Sequence, residues 1–274
     1  RWASRQRPLP TSAAQALKTY SRIFVVDGST LEALFCKLGE LRGQRGRLAG
    51  KICTVVDLAS RLPEQIEYTS EAQANDSGFF AQILGWAPAG TLWIFDRGFY
   101  DFDFFSDLIE RGVAWITRPK SNTVFSVKQV LWHTPQVRDQ IVCLQGCRHW
   151  VRLIEVYWGH TWYRYLTSVL DPQGLPAEVV ADLYRRRWRI EEAFLIVKRL
   201  LQLSYLWTGS ENGVQLQVWA TWLFFALLVD LGDEVANELL LPFDRISLEM
   251  VFRGLYHFNR AQARGEATDP VKYL

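Results

Sequence analysis

The 274-residue sequence is poor in residue types that many specialised sites require, with one Met, four Cys and four His. Four cysteines without a preceding secretory signal do not form the disulfide framework of a small secreted domain, which favours a reduced, cytoplasmic protein. Cys143, Cys147 and His149 lie close together, but they lack the second half of a zinc-ligand set. We therefore interpret the cysteines as packing residues.

The sequence also carries little net charge. The net charge of +2 excludes a uniformly basic protein that coats nucleic acid, so any nucleic-acid surface must come from local clustering. One basic segment lies at residues 1–7, which contain three arginines and no acid. The main cluster lies in the second half of the chain and comprises Arg185, Arg186, Arg187, Arg189, Lys198 and Arg199.

Long apolar runs are missing as well. The most apolar stretch, residues 218–231, is shorter than the roughly 20 residues needed to cross a bilayer, so we expect a buried helix there and no membrane partner. The sequence is 49% hydrophobic and contains 12 Trp, 10 Tyr and 16 Phe, which is enough apolar material for one sizeable core. Because the chain begins at Arg1 and not at Met, we expect a further segment upstream.

The first part of the chain mixes strand and helix patterns, which predicts an α/β sheet covered by helices. The first of two expected helices begins at the Asn75-Asp76-Ser77 segment, which we interpret as its cap. Strands are expected near 23–26, 47–58, 65–69, 92–95 and 113–117, and helices near 79–84 and 102–111.

The later part changes character twice. Alternating apolar residues predict a β-rich insertion over 121–168, and the remaining sequence predicts helices over 176–203, 212–239 and 247–262. We therefore divide the chain into an irregular leader or domain remnant at 1–20, a core at 21–120, the insertion at 121–168 and the rest of the core at 169–274.

Two short segments share one physical design. Ile-Phe-Val-Val precedes Asp27 and Leu-Trp-Ile-Phe precedes Asp96, so each carboxylate follows the pattern of a buried parallel strand. Ligand sites in open α/β sheets lie at such strand ends. Asp is also a common turn residue, and this is the simpler explanation of either residue taken alone. Asp57 and Asp171 end similar runs, and we interpret both as turn residues.

The helix predicted after residue 176 carries a more specific pattern. At about 100° per residue, Tyr184, Arg187, Glu191 and Lys198 share one face, whereas Glu192 lies off that face. An ordinary surface ion pair at i,i+4 is the simplest explanation of Arg187 and Glu191. However, the apolar neighbours indicate that much of this helix is buried, where such a mixed stripe is costly unless it faces a site.

The spacing Tyr-x2-Arg-x3-Glu-x6-Lys, which those four residues meet without a gap, resembles the signature of the bacterial insertion-sequence DDE transposases, in the subgroup named for the fourth insertion sequence described. Asp27-Gly28-Ser29 and Asp96-Arg97-Gly98-Phe99 resemble the first and second Asp motifs of that family. The resemblance covers residues 21–230. We find no counterpart here of the family's N-terminal DNA-binding region, and no motif after residue 240.

The resemblance implies an RNase H-like fold, in which a mixed sheet is flanked by helices and the β-rich insertion precedes the last catalytic helix. It implies that Asp27, Asp96 and Glu191 are the catalytic residues and hold two Mg²⁺ ions, for which Mn²⁺ could substitute. Asp27 is expected to bridge both ions. The site is therefore predicted to be built from oxygen ligands alone.

The basic and aromatic residues are expected to bind the substrate. The resemblance implies that Tyr184, Arg187 and Lys198 contact DNA phosphates, while Arg185 and Arg189, together with Arg186, add attraction that does not depend on DNA sequence. Candidates for stacking on an unpaired base lie in the insertion and are Trp132, Trp150 and Trp162.

The resemblance further implies an enzyme of the bacterial cytoplasm and nucleoid that acts on double-stranded DNA, at transposon ends and at a target. A homodimer in a synaptic complex is the expected assembly. Two alternatives remain open. One is a degenerate or domesticated transposase fragment that binds DNA without cleaving it, and the other is an RNase H-like nuclease that cuts without joining.

Overall fold

The computed structural model describes residues 10–31, 50–71, 74–203, 206 and 210–274. The strands in these ranges form one mixed sheet in the order β3-β2-β1-β4-β5-β9-β8-β7-β6. Their bounds are β1 Ile23–Leu31, β2 Gly50–Asp57, β3 Pro63–Thr69, β4 Leu92–Phe95, β5 Ala114–Thr117, β6 Phe125–His133, β7 Val137–Leu144, β8 Trp150–Trp158 and β9 Thr161–Thr167. The predicted α/β class and mixed sheet are confirmed.

The centre of the sheet is built from the two apolar runs that precede Asp27 and Asp96. β1 and β4 pair in parallel, with Val26 opposite Phe95, and both runs are buried throughout. Because successive side chains of a strand point to opposite faces, each run supplies two separate cores. Val25 and Ile94 belong to the core on one face, while Val26 and Phe95 belong to the core on the other.

Helices cover both faces of the sheet. Those described are α1 Thr11–Ala16, α2 Phe80–Trp86, α3 Phe102–Glu110, α4 Ala177–Arg186, α5 Trp188–Leu195, α6 Glu211–Glu238, α7 Leu248–Ala263 and α8 Pro270–Tyr273. The helices predicted over 102–111, 212–239 and 247–262 are thereby confirmed. The continuous helix predicted over 176–203 is wrong in detail, because the chain tightens at Arg187 through backbone bonds of the i,i+3 kind and widens into a π-helical turn at Ile196–Leu200.

The β-rich stretch predicted over 121–168 forms four antiparallel strands, β6 to β9. It does not stand apart from the core, because β9 pairs with β5 and so extends the central sheet. A buried ion pair between Arg152 on β8 and Asp139 on β7 lies inside this extension. The Arg152 Nη1 also donates to the Leu175 carbonyl at 2.6 Å, which ties the extension to the segment just before α4.

The segment expected to be an irregular leader is partly helical. In α1, Ala13 and Ala16 are buried, and the Ser12 Oγ donates a hydrogen bond to Asp182 Oδ2 on α4 at 2.5 Å. Packing of small residues against a later helix orders a segment whose own sequence carries no helical apolar pattern. Residues 1–9, including their three arginines, lie outside the described part of the chain.

Helix α6 is longer than the apolar run that predicted it. By length and composition alone it could cross a membrane, which corrects the expectation that this stretch is too short. One face is buried, where Trp222 meets Phe194 of α5 with 5.7 Å between ring centroids. The other face exposes Leu216, Trp219 and Leu223. The expected burial therefore holds for one side of the helix only.

Candidate active site

Asp27 and Asp96 lie side by side at one edge of the sheet. Asp27 is the fifth residue of β1, and Asp96 directly follows β4, its parallel neighbour. The Asp27 side chain is 16% exposed and that of Asp96 is 37% exposed. Parallel pairing of two similar apolar runs thus delivers both carboxylates to the same place, as ligand sites of α/β sheets require.

A single guanidinium joins these two carboxylates to Glu191. Arg187 Nη1 lies 2.9 Å from Asp27 Oδ2, and its Nη2 lies 3.4 Å from Asp96 Oδ1 and 3.2 Å from Glu191 Oε1. The side chain of Arg187 is only 7% exposed. Three carboxylates that come from distant parts of the sequence therefore converge on one cation.

Glu192 points away from this cluster, as the helical phase predicted. Its Oε2 pairs with Arg189 Nη1 at 3.0 Å, on a side where Arg189 also reaches Asp244. Successive residues on a helix are about 100° apart, so only one of the two neighbouring glutamates can face Asp27 and Asp96. The geometry selects Glu191.

The charges in the cluster do not balance. Burial raises the pKa of Asp27 to about 7; the charge of Arg187 opposes this rise, while those of Asp96 and Glu191 add to it. Burial acts to lower the Arg187 pKa, but the charges of Asp96 and Asp27 outweigh it and raise that pKa. One guanidinium is therefore insufficient positive charge for three carboxylates, and the site has room in its charge balance for further cations.

The same carboxylates suit a hard divalent cation. Mg²⁺ and Mn²⁺ prefer oxygen ligands, and carboxylates are the acidic ligands that such sites use. In the described ranges, no three His, Cys, Asp or Glu side chains form a ready-made metal cage. At this cluster the Arg187 guanidinium lies among the three carboxylates. Its interactions would have to rearrange for a metal to bind there.

Tyr184 and Lys198, the other two members of the predicted stripe, have unequal surroundings. Tyr184 is buried and packs against Tyr165, with 5.5 Å between ring centroids, and burial followed by the charge of Asp96 raises its pKa to about 12. Lys198 Nζ donates to the Thr30 carbonyl of β1 at 2.6 Å. Thr30 is three residues after Asp27 on β1. Lys198 therefore lies near the edge that carries the site.

Arg185 and Arg189, which flank Arg187 in the sequence, also have different surroundings. Arg185 is 61% exposed and pairs with Asp182 at the end of α4. Arg189 is engaged with Glu192 and Asp244, on the face opposite the carboxylate cluster. Arg185 thus lies at the surface in an ion pair with Asp182, whereas Arg189 contributes to a local ion-pair network with Glu192 and Asp244.

Sequence reasoning missed two arginines on the same edge. Arg118 directly follows β5 as Asp96 follows β4, and Ile94 lies opposite Ile116 in that parallel pair. Its Nε is buried without a hydrogen-bond partner among the described residues, and its guanidinium lies 5.9 Å from the Tyr163 ring. Arg97 directly follows Asp96, and the charges of Arg118 and Arg97 both act to lower the Tyr184 pKa. The strand-end pattern in Thr117-Arg118-Pro119 was the available signal.

The Asn75-Asp76-Ser77 segment precedes a helix as predicted, but no side chain of it caps that helix. Residues Asp76–Phe79 form a 3₁₀ turn whose cap residue makes no side-chain hydrogen bond. The Asp76 carboxylate instead lies against Gly28 and Gly98, which belong to the two Asp motifs. The local sequence favoured a cap because Asp is a common capping residue. In the folded chain the side chain instead contacts Gly28 and Gly98, which are distant from it in sequence.

The two aspartates interpreted as turn residues are confirmed as such. Asp57 Oδ1 accepts hydrogen bonds from the backbone N–H groups of Ala59 and Ser60 at 2.9 and 2.7 Å. Asp171 accepts from the N–H groups of Gln173 and Gly174. Neither carboxylate contributes to the cluster around Arg187.

Fold and site together define a class of protein: an α/β domain of RNase H-like architecture with one aspartate within β1, one directly after the neighbouring β4, and a helix-borne glutamate beside them. Residues 19–229 match the family described as "Transposase DDE domain". The chain belongs to this family, so it is a DDE transposase domain. The general function of the family is the cleavage and strand transfer of DNA in transposition, and its members generally use divalent metal ions.

Two relatives carry transposase names. A protein of Sinorhizobium fredii named "Putative transposase y4zB" is 27% identical over 254 residues, which cover 85% of this chain and 68% of that protein. A protein of Geobacillus stearothermophilus named "Probable transposase for insertion sequence element IS5377" is 26% identical over 150 residues, covering 52% of this chain and 40% of the relative. These matches support an insertion-sequence transposase, while the subgroup indicated by the Tyr-Arg-Glu-Lys spacing stays a prediction.

Proposed function

We propose that this chain catalyses metal-dependent cleavage of DNA at transposon ends and the joining of those ends to a target. Asp27, Asp96 and Glu191 are the proposed catalytic residues and metal ligands. The observation that carries the proposal is the convergence of these three carboxylates on Arg187, with an Asp27 pKa of about 7. A cluster so short of positive charge is built to receive cations.

The proposed cofactor is a pair of Mg²⁺ ions, for which Mn²⁺ can substitute. When bound, such a pair activates the attacking water or 3′-hydroxyl and stabilises the leaving oxygen of an in-line phosphoryl transfer. Asp27, the most buried of the three carboxylates, would hold the ions together with Asp96 and Glu191. Arg187 holds the carboxylates together before the ions arrive, because their mutual repulsion would otherwise drive them apart.

The proposed substrate surface is the edge of the sheet around the cluster. Arg118, Arg97 and Lys198 lie on this edge and are suited to contact backbone phosphates, Arg through a planar fork and Lys through a point charge. Tyr184 and Arg187 remain candidates for such contacts, although both are largely buried before DNA binds. Arg185 adds long-range attraction that weakens as salt rises.

The proposed setting follows from the proposed reaction. The substrate is double-stranded DNA, so we place the protein in the bacterial cytoplasm, at the nucleoid. Joining two transposon ends to one target requires two active sites in one complex, and a synaptic homodimer meets this requirement with a single chain type.

Catalysis is tested by nicking of a supercoiled plasmid that carries transposon ends, in Mg²⁺ or Mn²⁺. Asp27→Asn, Asp96→Asn and Glu191→Gln should each lower the rate by about 10³-fold or more, because a metal ligand supports several kcal/mol of transition-state stabilisation. The matched control is Glu192→Gln, which removes the neighbouring carboxylate and should keep near wild-type activity.

The alternatives predict different outcomes. A fragment that binds DNA without cutting it would show no metal-dependent nicking by the wild type. A nuclease that cuts without joining would release ends that never appear in strand-transfer products. Equal losses for Glu191→Gln and Glu192→Gln would contradict the proposed ligand set.

A further inference from the structure

Asp76 lies between the two segments that carry the first two catalytic aspartates. A methyl group placed on Gly28 would collide with Asp76 Oδ1, and one placed on Gly98 would collide with Asp76 Oδ2. Each carboxylate oxygen thus packs against the backbone of a different Asp motif. Glycine at both positions leaves the space that this close approach requires.

The carboxylate is held by a cation of its own. Lys51 Nζ on β2 lies 2.6 Å from Asp76 Oδ1 and also donates to the Ala74 carbonyl at 2.8 Å. The two side chains are 13% and 19% exposed, for Lys51 and Asp76 respectively. The approach does not meet hydrogen-bond geometry at Oδ1, so we treat the contact as an ion pair. This pairing neutralises a fourth acidic group that would otherwise repel the catalytic carboxylates.

The register of the sheet explains why this pair is placed here. Lys51 lies opposite Thr30, and Gly28 lies opposite Cys53, so β2 presents the lysine just beyond the first Asp motif. The 3₁₀ turn that begins at Asp76 packs against the turn Arg97–Phe99 that follows Asp96. One side chain therefore contacts both Asp motifs just beyond Val26 and Phe95, the last residues paired between β1 and β4.

We propose that Asp76, paired with Lys51, is a positioning residue that sets the spacing between Asp27 and Asp96 for metal binding. This inference rests on the proposed function, because it assumes that those two carboxylates bind metal. Residues that orient metal ligands from outside the ligand set typically change metal affinity by about 10–100-fold when removed. Asp76 would act through the backbone at Gly28 and Gly98, without touching the metal or the DNA.

The direct test is Mn²⁺ binding to the full chain, measured by isothermal titration calorimetry and by electron paramagnetic resonance of free Mn²⁺. Asp76→Ala should weaken Mn²⁺ binding about tenfold or more, while affinity for end DNA without divalent ions stays within twofold of wild type. Asp76→Asn, which keeps the shape and loses the charge, should give a smaller loss. Asp103→Asn, at an 87% exposed side chain, is the control for a surface charge and should bind Mn²⁺ normally.

A second measurement separates positioning from general damage to the fold. Gly98→Ala should weaken Mn²⁺ binding in the wild-type background, because its methyl group displaces the Asp76 carboxylate. In the Asp76→Ala background the same methyl group has space, so it should cause no further loss. Such non-additivity is the signature of two groups in contact. Thermal melts of all variants show whether a loss of binding accompanies a loss of structure.

The outcomes distinguish the two proposals. Wild-type binding that depends on Asp27 and weakens in Asp76→Ala, with no further loss from Gly98→Ala, supports the positioning role. Asp27-dependent binding that is unchanged in both Asp76 variants overturns the positioning role and leaves the proposed function intact. Wild-type protein that binds no Mn²⁺ in an Asp27-dependent manner overturns both. Additive losses from Asp76→Ala and Gly98→Ala would also overturn the positioning role.

Discussion

Two buried arginines in this protein meet carboxylates in opposite ways. Arg152 is fully buried and faces one carboxylate, with 2.7 Å from its Nε to Asp139 Oδ1 and 2.5 Å from Nη2 to Oδ2. Its remaining nitrogen Nη1 donates to the Leu175 carbonyl. Charge and hydrogen-bonding capacity are matched on both partners, as a buried ion pair requires.

Arg187 faces three carboxylates with the same single charge. Its Nε is buried without a hydrogen-bond partner in the described part of the chain. The arrangement therefore leaves both an excess of negative charge and an unused donor. In the Arg152 pair each charge has one matched partner, whereas here one buried guanidinium is shared by three carboxylates, of which Asp27 is the most buried.

Charge balance, and not burial, distinguishes the Arg152 ion pair from the Arg187 cluster. Both arginines are buried, yet only the Arg187 cluster has an excess of carboxylates that additional cations could neutralise. Stability of the Arg152 pair should therefore be independent of divalent ions, whereas that of the Arg187 cluster should depend on them. The following predictions test this difference, from the largest expected effect to the smallest.

Replacing Arg152 should cost the most stability. Arg152→Met leaves Asp139 buried without a partner, which should lower the free energy of unfolding by about 3–5 kcal/mol. Urea denaturation measures this loss, and Mg²⁺ should not recover it. The double variant Arg152→Met/Asp139→Leu should regain most of the stability, because it removes the unpaired charge. A neutral single variant would show that the pair is not structurally important.

Replacing Arg187 should also destabilise the protein, but in a way that added Mg²⁺ can offset. Arg187→Met leaves three carboxylates without their shared cation, and we expect a loss of roughly 2–4 kcal/mol at pH 8 without metal. Millimolar Mg²⁺ should recover a large part of it, because the ion supplies the missing positive charge. Urea denaturation with and without Mg²⁺ tests this expectation, with Arg152→Met as the control. Equal responses of the two variants to Mg²⁺ would remove the distinction drawn above.

The titration of Asp27 should make stability without metal fall as pH rises. Its folded-state pKa of about 7 lies above the ordinary value of 3.8 for an aspartate, so the contribution is fully present below pH 3.8 and is lost as pH rises through 7. One pKa unit corresponds to about 1.4 kcal/mol, and we expect a change on the order of 1–3 kcal/mol across this window. Asp27→Asn should flatten the profile in urea denaturation from pH 4 to 8. Parallel profiles for the two proteins would contradict the assignment.

The smallest effect is expected where α1 docks on α4. Burial acts to raise the Asp182 pKa, but hydrogen bonds from Arg185, Ser12 and Arg186 outweigh it and lower that pKa to about 2. The resulting stability is present above pH 3.8 and is lost as pH falls through 2. Because this network is partly exposed, Asp182→Asn should cost only about 0.5–1 kcal/mol at pH 7. Thermal melts at pH 7 and well below pH 2 test this, and an undiminished difference at the lower pH would contradict it.

Much of the site could be predicted because its parts have local signatures. Four apolar residues before Asp27 and before Asp96 predicted buried strands, and the helical period selected Glu191 over Glu192. The sequence did not predict Asp76 and Arg118 beside the site, because their positions there depend on which strands are neighbours. A turn aspartate and a strand-end arginine look ordinary until β2, β1, β4 and β5 are placed side by side.

The sequence by itself determined the elements and the chemical types at their ends, because periodicity and turn chemistry act within a few residues. It specified apolar strand segments followed by Asp27 and Asp96 and a helix with Glu191 on the face of Arg187, although β1 continues past Asp27 to Leu31. Only the tertiary structure decided that β9 joins β5, that Arg187 lies among three carboxylates, and that Asp76 packs between two glycines. Those contacts join residues far apart in the chain, where pairing of strands and balance of charge select the partners.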